Sequence, residues 1–220
     1  MMPGVMPVVV SPNPLPTVSW TDSAGDNTAV TTHTFAGTSI GAASATRLVV
    51  VGIDNLSGAA PSSVTIAGVS ASLVSGSSIA NGSPHVSFWQ ASVPTGTTGT
   101  ITVNLTSAGS AWIGVFAIYD LLSTTRTDAA TDATTGASGV LTFASLTVSA
   151  NGVAVGYANS TTVGGGTWTW TTMTERFDDA STGASHSGAT YTTTAGATIS
   201  PTATSSLSFQ FFQGAAVSYR

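Results

Sequence analysis

The sequence predicts an all-β protein: an antiparallel, jelly-roll-like β-sandwich with a duplicated half-motif, behind an extended Pro-rich N-terminal arm. Three observations predict it. Thr, Val, Ser and Gly dominate while Leu, Glu, Lys and Arg are scarce, and β-branched residues suit a pleated, half-buried surface better than a helix. Short runs of these residues recur between clusters of Gly, Asn, Pro and Ser, the pattern of many short strands joined by turns. The two halves of the chain also carry matching landmarks, which points to an internal repeat.

Residues 1–16 hold Pro3, Pro7, Pro12, Pro14 and Pro16, which favour an extended arm. The arm lacks the basic start and unbroken apolar stretch of a secretion signal. Its Val8-Val9-Val10 run is costly to leave in water, so it is the candidate for docking on a neighbouring subunit. One sandwich domain is expected over residues 17–220, with pseudo-repeat halves at about 28–121 and 139–220. Strands are expected near 28–35, 46–54, 63–68, 71–75, 85–92, 99–106 and 111–120. A Thr/Ala/Ser/Asp loop should span 122–138, followed by strands near 139–149, 152–159, 167–176, 186–193, 196–200 and 206–219. Ser63-Val64-Thr65-Ile66-Ala67 and Gly99-Thr100-Ile101-Thr102-Val103-Asn104-Leu105 alternate with period two, as strands with one wet face do. Leu48-Val49-Val50-Val51 and Ala111-Trp112-Ile113-Gly114-Val115-Phe116-Ala117-Ile118-Tyr119 are continuous, as strands buried on both faces are.

The repeat rests on particular pairs. Gly114 and Tyr119 recur as Gly214 and Tyr219, Val51-Gly52 with Asn55 as Val155-Gly156 with Asn159, and His85 falls near His186. Val64 and Ile66 align with Trp168 and Trp170. The duplication makes either two small sandwiches or one whose halves interleave. The second is the expectation, because Leu207, Phe209 and Phe211 alternate through a last strand suited to a shared sheet.

Composition excludes several functions. Only 6% of the 220 residues are charged, the net charge is −5, and no lysine is present, against about 25% charged in an average protein. Arg47, Arg126, Arg176 and Arg220 are too few and scattered for a phosphate-binding stripe or a polybasic membrane patch. Ser and Thr make up roughly 30% of the chain and build the surface instead. No apolar run reaches the length of about 18 residues needed for a membrane-spanning helix. With no cysteine there is neither a disulfide nor a thiol nucleophile.

Residues able to carry catalysis are sparse. His33, His85 and His186 are expected to have no close carboxylate partner, and they show no metal-site spacing. Glu175, Asp178 and Asp179 cluster around Arg176, which reads as a solvated, self-neutralising turn rather than a glycosidase pair. Asp22-Ser23-Ala24-Gly25-Asp26-Asn27 reads as an Asx-rich turn that offers oxygen ligands but does not match a calcium loop. No catalytic residue, metal or cofactor is therefore expected. Trp168 and Trp170 share one face of a strand. That face makes a glycan-stacking platform if wet and core if inward; the apolar Val64 and Ile66 aligned with them favour core.

Val64-Thr65-Ile66-Ala67-Gly68-Val69, then Trp89-Gln90-Ala91-Ser92-Val93-Pro94-Thr95-Gly96-Thr97, then Thr100-Ile101-Thr102-Val103 form a characteristic series. It resembles a β-sandwich module of bacteriophage and prophage virion structural proteins, also seen in bacterial surface proteins. The resemblance covers roughly residues 34–219 and implies a non-enzymatic capsid decoration, head-fibre or tail-associated component. Its expected partners are other virion proteins and further copies of itself, without nucleic acid or membrane. Its expected place is the virion, assembled in the host cytoplasm. The alternative is an extracellular or cell-surface adhesion module that binds glycan through Trp168 and Trp170.

Overall fold

The computed structural model describes residues 14–136, 139–161, 165–181, 183–208 and 210–220. Val8, Val9 and Val10 lie outside the described residues. The elements are β1 (Thr17–Ser39), β2 (Leu48–Asn55), β3 (Ser63–Ile66), β4 (Val69–Ser70), β5 (Ser72–Leu73) and β6 (Ile79–Ala80). They continue with β7 (His85–Ser92), β8 (Thr98–Tyr119), β9 (Asp128–Gly136), β10 (Val140–Thr142), β11 (Leu146–Val148) and β12 (Gly152–Ser160). The last are β13 (Trp168–Thr171), β14 (Thr174–Ser181), β15 (Ala184–Thr193), β16 (Ala197–Ile199), β17 (Thr202–Ser205) and β18 (Gln210–Tyr219).

The fold is all-β with antiparallel pairing, and its topology is duplicated. In the first half, the N-terminal part of β1 pairs with the C-terminal part of β8, which pairs with β2, then β7, then β5. In the second half, β9 pairs with β18, then β12, then β15, then β14. The outer sheets repeat as well. The C-terminal part of β1, the N-terminal part of β8 and β3 run side by side, as do β10, β17 and β13. Among the described residues no strand of one half enters a sheet of the other, so the halves stack rather than interleave.

Three cores lie in series. The first half closes over Val49, Val51, Ile53, Val64, Ile66, Ile101, Val103, Ile113 and Val115. The second half closes over Leu141, Phe143, Trp168, Trp170, Ala203, Phe212 and Ala216. Between them lies a seam of Leu48, Val50, Phe88, Phe116, Ile118, Val153, Val155, Tyr157, Phe177, Val217 and Tyr219. The inner strands β2 and β12 and the C-terminal part of β8 are thus buried on both faces, which is why Leu48–Ile53, Val153–Ala158 and Ala111–Ile118 read as apolar runs.

β1 and β8 extend through 23 and 22 residues and serve both sheets of their sandwich. Register shifts between Asp26 and Thr32 on β1 mark where it crosses from one sheet to the other, as bulges do at sandwich corners. The stretches expected as separate strands at 99–106 and 111–120 are therefore one element. In the second half the same courses are broken, into β9 and β10 and into β17 and β18. The loop expected over 122–138 contains β9, an edge strand whose small side chains are half-buried. The strand expected at 206–219 begins at Gln210, and Phe212 faces inward while Phe211 is 45% exposed.

The hairpin between β3 and β4 pairs Ile66 with Val69 and leaves Ala67 and Gly68 at φ 51° and 80°. Two positive φ values mark a type I′ turn. Ala67 occupies its first central position at a steric cost that glycine would not incur.

Candidate functional site

One group of buried polar residues gathers at one end of the seam. Asp54 is 1% exposed and lies beside Trp112 of β8 and Val86 of β7 in the ladder. Across the seam, the Tyr157 hydroxyl donates to Asp54 Oδ1 and the Asn159 amide donates to Oδ2. Gln213 Nε2 donates in turn to Asn159 Oδ1 at 2.6 Å. The His186 ring packs 5.9 Å from Tyr157 and 5.9 Å from Phe177, and its Nε2 lies 3.7 Å from Asp179 Oδ2. Trp112 Nε1, both His186 ring nitrogens and Gln213 Oε1 are buried without a hydrogen-bond partner.

Glycines make room for this arrangement. Gly52 and Gly114 face each other in the ladder, and a Cβ on either would come within 2.8 Å of the Tyr157 ring. Tyr157 thus seats in a hollow that only glycine leaves open, and its hydroxyl reaches Asp54.

Burial governs the electrostatics of the cluster. It pushes the Asp54 carboxyl up to about 8, against the opposing pull of the Tyr157 and Asn159 hydrogen bonds. Burial likewise lowers His186 to about 4, with the nearby Asp179 opposing. The Tyr157 hydroxyl is pushed up by burial and by Asp54. Burial thus favours the uncharged form of the acid, the imidazole and the phenol alike.

The other candidates are dispersed. Trp168 and Trp170 are 3% and 7% exposed, and their indole N–H groups donate to Ser185 Oγ and Ser187 Oγ at 2.8 and 2.9 Å. Both rings face the second-half core, with Trp170 stacked on Phe143 at 5.5 Å. The glycan platform is thus corrected to core, because the wet face of β13 belongs to Thr169 and Thr171. Asp22 and Asp26 lie within β1, not on a turn. Asp22 Oδ2 accepts the Ser39 N–H at 2.7 Å. Asp26 Oδ1 accepts the Thr28 N–H at 2.9 Å, and this bond leads the effects that hold its carboxyl below the usual range.

His33 does have a carboxylate partner, Asp26 at 2.9 Å, while its Nε2 lies 2.8 Å from Gly109 O. His85 faces the first-half core side, bonded to Ser78 Oγ at 2.9 Å, and burial lowers it to about 4. Glu175, Asp178 and Asp179 lie on the edge strand β14. Burial raises Glu175 and Asp178, while Arg176 donates to Thr190 Oγ1 at 2.7 Å rather than pairing with an acid.

Among the described residues no group of three or more His, Asp or Glu side chains is placed to hold a metal ion. A groove of about 610 Å³ is lined by Leu15, Pro16, Val18, Asn151, Gly152 and Thr192–Thr194, with no ionisable side chain. The chain matches no family model and no curated protein.

The outer sheets present a second arrangement. Thr34, Thr102, Thr65 and Ser70 stand in register across four strands, beside Thr32, Asn104 and Ser63. On the opposite outer sheet, Thr142, Thr202 and Thr171 form one row, and Val140, Thr204 and Thr169 another. Hydrogen bonds tie neighbours within rows: Thr32 Oγ1 to Asn104 Oδ1 and Asn104 Nδ2 to Ser63 Oγ, both at 2.9 Å, and Thr171 to Thr202 at 2.7 Å. Every row is uncharged.

Proposed function

We propose that the chain is a non-enzymatic structural subunit of a bacteriophage particle: a capsid decoration, head-fibre or tail-associated component that docks on neighbouring subunits. The observation that carries this reading is the pair of uncharged hydroxyl faces on the two outer sheets. Such faces exchange hydrogen bonds with water for hydrogen bonds with a neighbour, without the desolvation cost of burying charge. The sequence series around Trp89–Thr97 adds a likeness to virion modules. The charged edge strand β14, with Glu175, Asp178 and Asp179, disfavours pairing between copies at that sheet edge. Purified particles from a host carrying the gene, analysed by mass spectrometry, should contain the chain at a fixed stoichiometry to the major capsid or tail protein. Its absence from particles overturns the reading.

A further inference from the structure

We propose that the buried cluster is a proton-dependent latch between the two halves: the seam closes with Asp54 neutral, and opening that end releases the proton to water. The inference stands on where Asp54 sits and what surrounds it. Its carboxyl is buried at the seam, and among the described residues no arginine or histidine forms an ion pair with it. From β12 it meets Tyr157 and Asn159, and from β18 Gln213. β15 contributes His186, and β14 contributes Asp179 behind it. In its own sheet, β8 contributes Trp112 and β7 contributes Val86. From β1, Asp26 is engaged by His33. Among the described residues, then, the ionisable groups around Asp54 are Tyr157, His186 and Asp179, with Asp26 already paired to His33. An ionised Asp54 has two donors and no counter-charge, an arrangement that a water-excluded site penalises.

Opening this end breaks the Tyr157 and Asn159 bonds to Asp54 but admits water to polar atoms that the closed seam leaves unsatisfied. Trp112 Nε1, both His186 nitrogens and Gln213 Oε1 have no partner in the closed seam and gain water on opening.

The sign follows from linkage. Asp54 is raised to about 8 when closed and returns to its ordinary value of 3.8 when open, so its release of a proton favours opening from about pH 4 up to about 8. His186 is lowered to about 4 when closed and returns to 6.5 when open, so it favours opening as pH falls below 6.5. The two effects cancel between about pH 4 and 6.5. From 6.5 to 8 only Asp54 acts, and opening should rise about tenfold per pH unit, roughly 30-fold in all, then level off.

The test uses the full chain. Amide hydrogen exchange is followed from pH 6.5 to 9 at residues 157–160, 186 and 213, corrected for intrinsic base catalysis. Carbon-13 NMR of the side-chain carboxyls gives the Asp54 titration, with Asp54→Asn for assignment. The expected result is a carboxyl midpoint near 8, a roughly 30-fold rise in opening that levels above pH 8, and loss of that rise in Asp54→Asn. A midpoint near 4, or opening in the wild-type chain that does not change between pH 6.5 and 8, overturns the proposal. If Asp54→Asn does not fold, the wild-type titration and exchange decide alone, with the Asp54 resonance assigned by through-bond correlation.

Discussion

At the scale of residues, Arg47 has the most demanding environment. It is 1% exposed, and among the described residues it has no carboxylate partner. Its Nε donates to Val93 O at 2.7 Å, Nη1 to Gly41 O and Ala42 O at 2.6 and 2.8 Å, and Nη2 to Thr95 O at 2.7 Å. The guanidinium fork thereby ties the loop after β1 to the turn after β7. Lysine cannot reproduce a planar, four-bond geometry. Arg47→Lys should cost about 3 kcal/mol or more, since each buried carbonyl left without its donor costs about 1–3 kcal/mol. Urea unfolding measures it, and a loss below 1 kcal/mol contradicts this account. In the sequence Arg47 was one of four scattered arginines, and nothing adjacent to it marked a buried clamp, because all its partners are backbone groups. Trp168 and Trp170 were legible for the opposite reason. Their alternation with Thr167, Thr169 and Thr171 fixes one face, and the aligned Val64 and Ile66 fix which face is inward.

At the scale of elements, side-chain carboxylates fasten inner-sheet edges to outer sheets. Asp132 Oδ2 on β9 accepts the Thr142 N–H of β10 at 2.6 Å, and Asp128 Oδ2 accepts the Thr147 N–H of β11 at 2.8 Å. Asp22 on β1 does the same for Ser39. Asp132→Ala should therefore destabilise by about 1.5–3 kcal/mol, the range for hydrogen bonds to a charged group. Asp132→Asn, which keeps an acceptor, should recover part of that. Chemical denaturation of both variants checks it, and equal stability of Asp132→Ala and wild type refutes it. These acids explain why β9 was unreadable. Asp128-Ala129-Ala130-Thr131-Asp132-Ala133 has no apolar alternation, because an edge strand of small residues is held by its carboxylates and by pairing with β18. The long strands were read as broken for a related reason: Gly109 and neighbouring small residues signal a turn locally, while pairing with β1 carries β8 through. The repeat was legible as an order of strands but not residue by residue. Gly114 faces the seam, whereas Gly214 faces Phe143 in the second-half core. Gly52 meets Tyr157 in the seam, while Gly156 meets Trp170 in that same core. A one-residue slip turns each such pair to opposite faces.

At the scale of the whole molecule, three buried ionisable groups shape the response to pH. His85 and His186 are lowered to about 4, so their neutral burial stabilises above pH 6.5 and that contribution is lost as pH falls toward 4. Asp54 is raised to about 8, so its contribution is complete below about pH 4 and is lost as pH rises through 8. Unfolding below pH 6.5 takes up two protons on histidine against one released by Asp54; above 6.5 it only releases one. Stability should therefore peak near pH 6.5. A series of melting temperatures from pH 4.5 to 9 tests this, and a profile rising steadily to pH 9 contradicts it. No sequence feature announced the polar end of the seam, because it brings Asp54 together with groups more than 100 residues away. The duplicated topology also sets an order for synthesis. Each half pairs its first strand with its last, β1 with β8 and β9 with β18, so the first half can close once Tyr119 has emerged. Its seam face, with Val50, Phe88, Phe116 and Ile118, then waits for the other half to be translated. At about 5–20 residues per second that leaves a bare apolar sheet for about 5–20 seconds. On a crowded polysome, a nascent neighbour's identical face is the competitor that the chain's own second half must outrun.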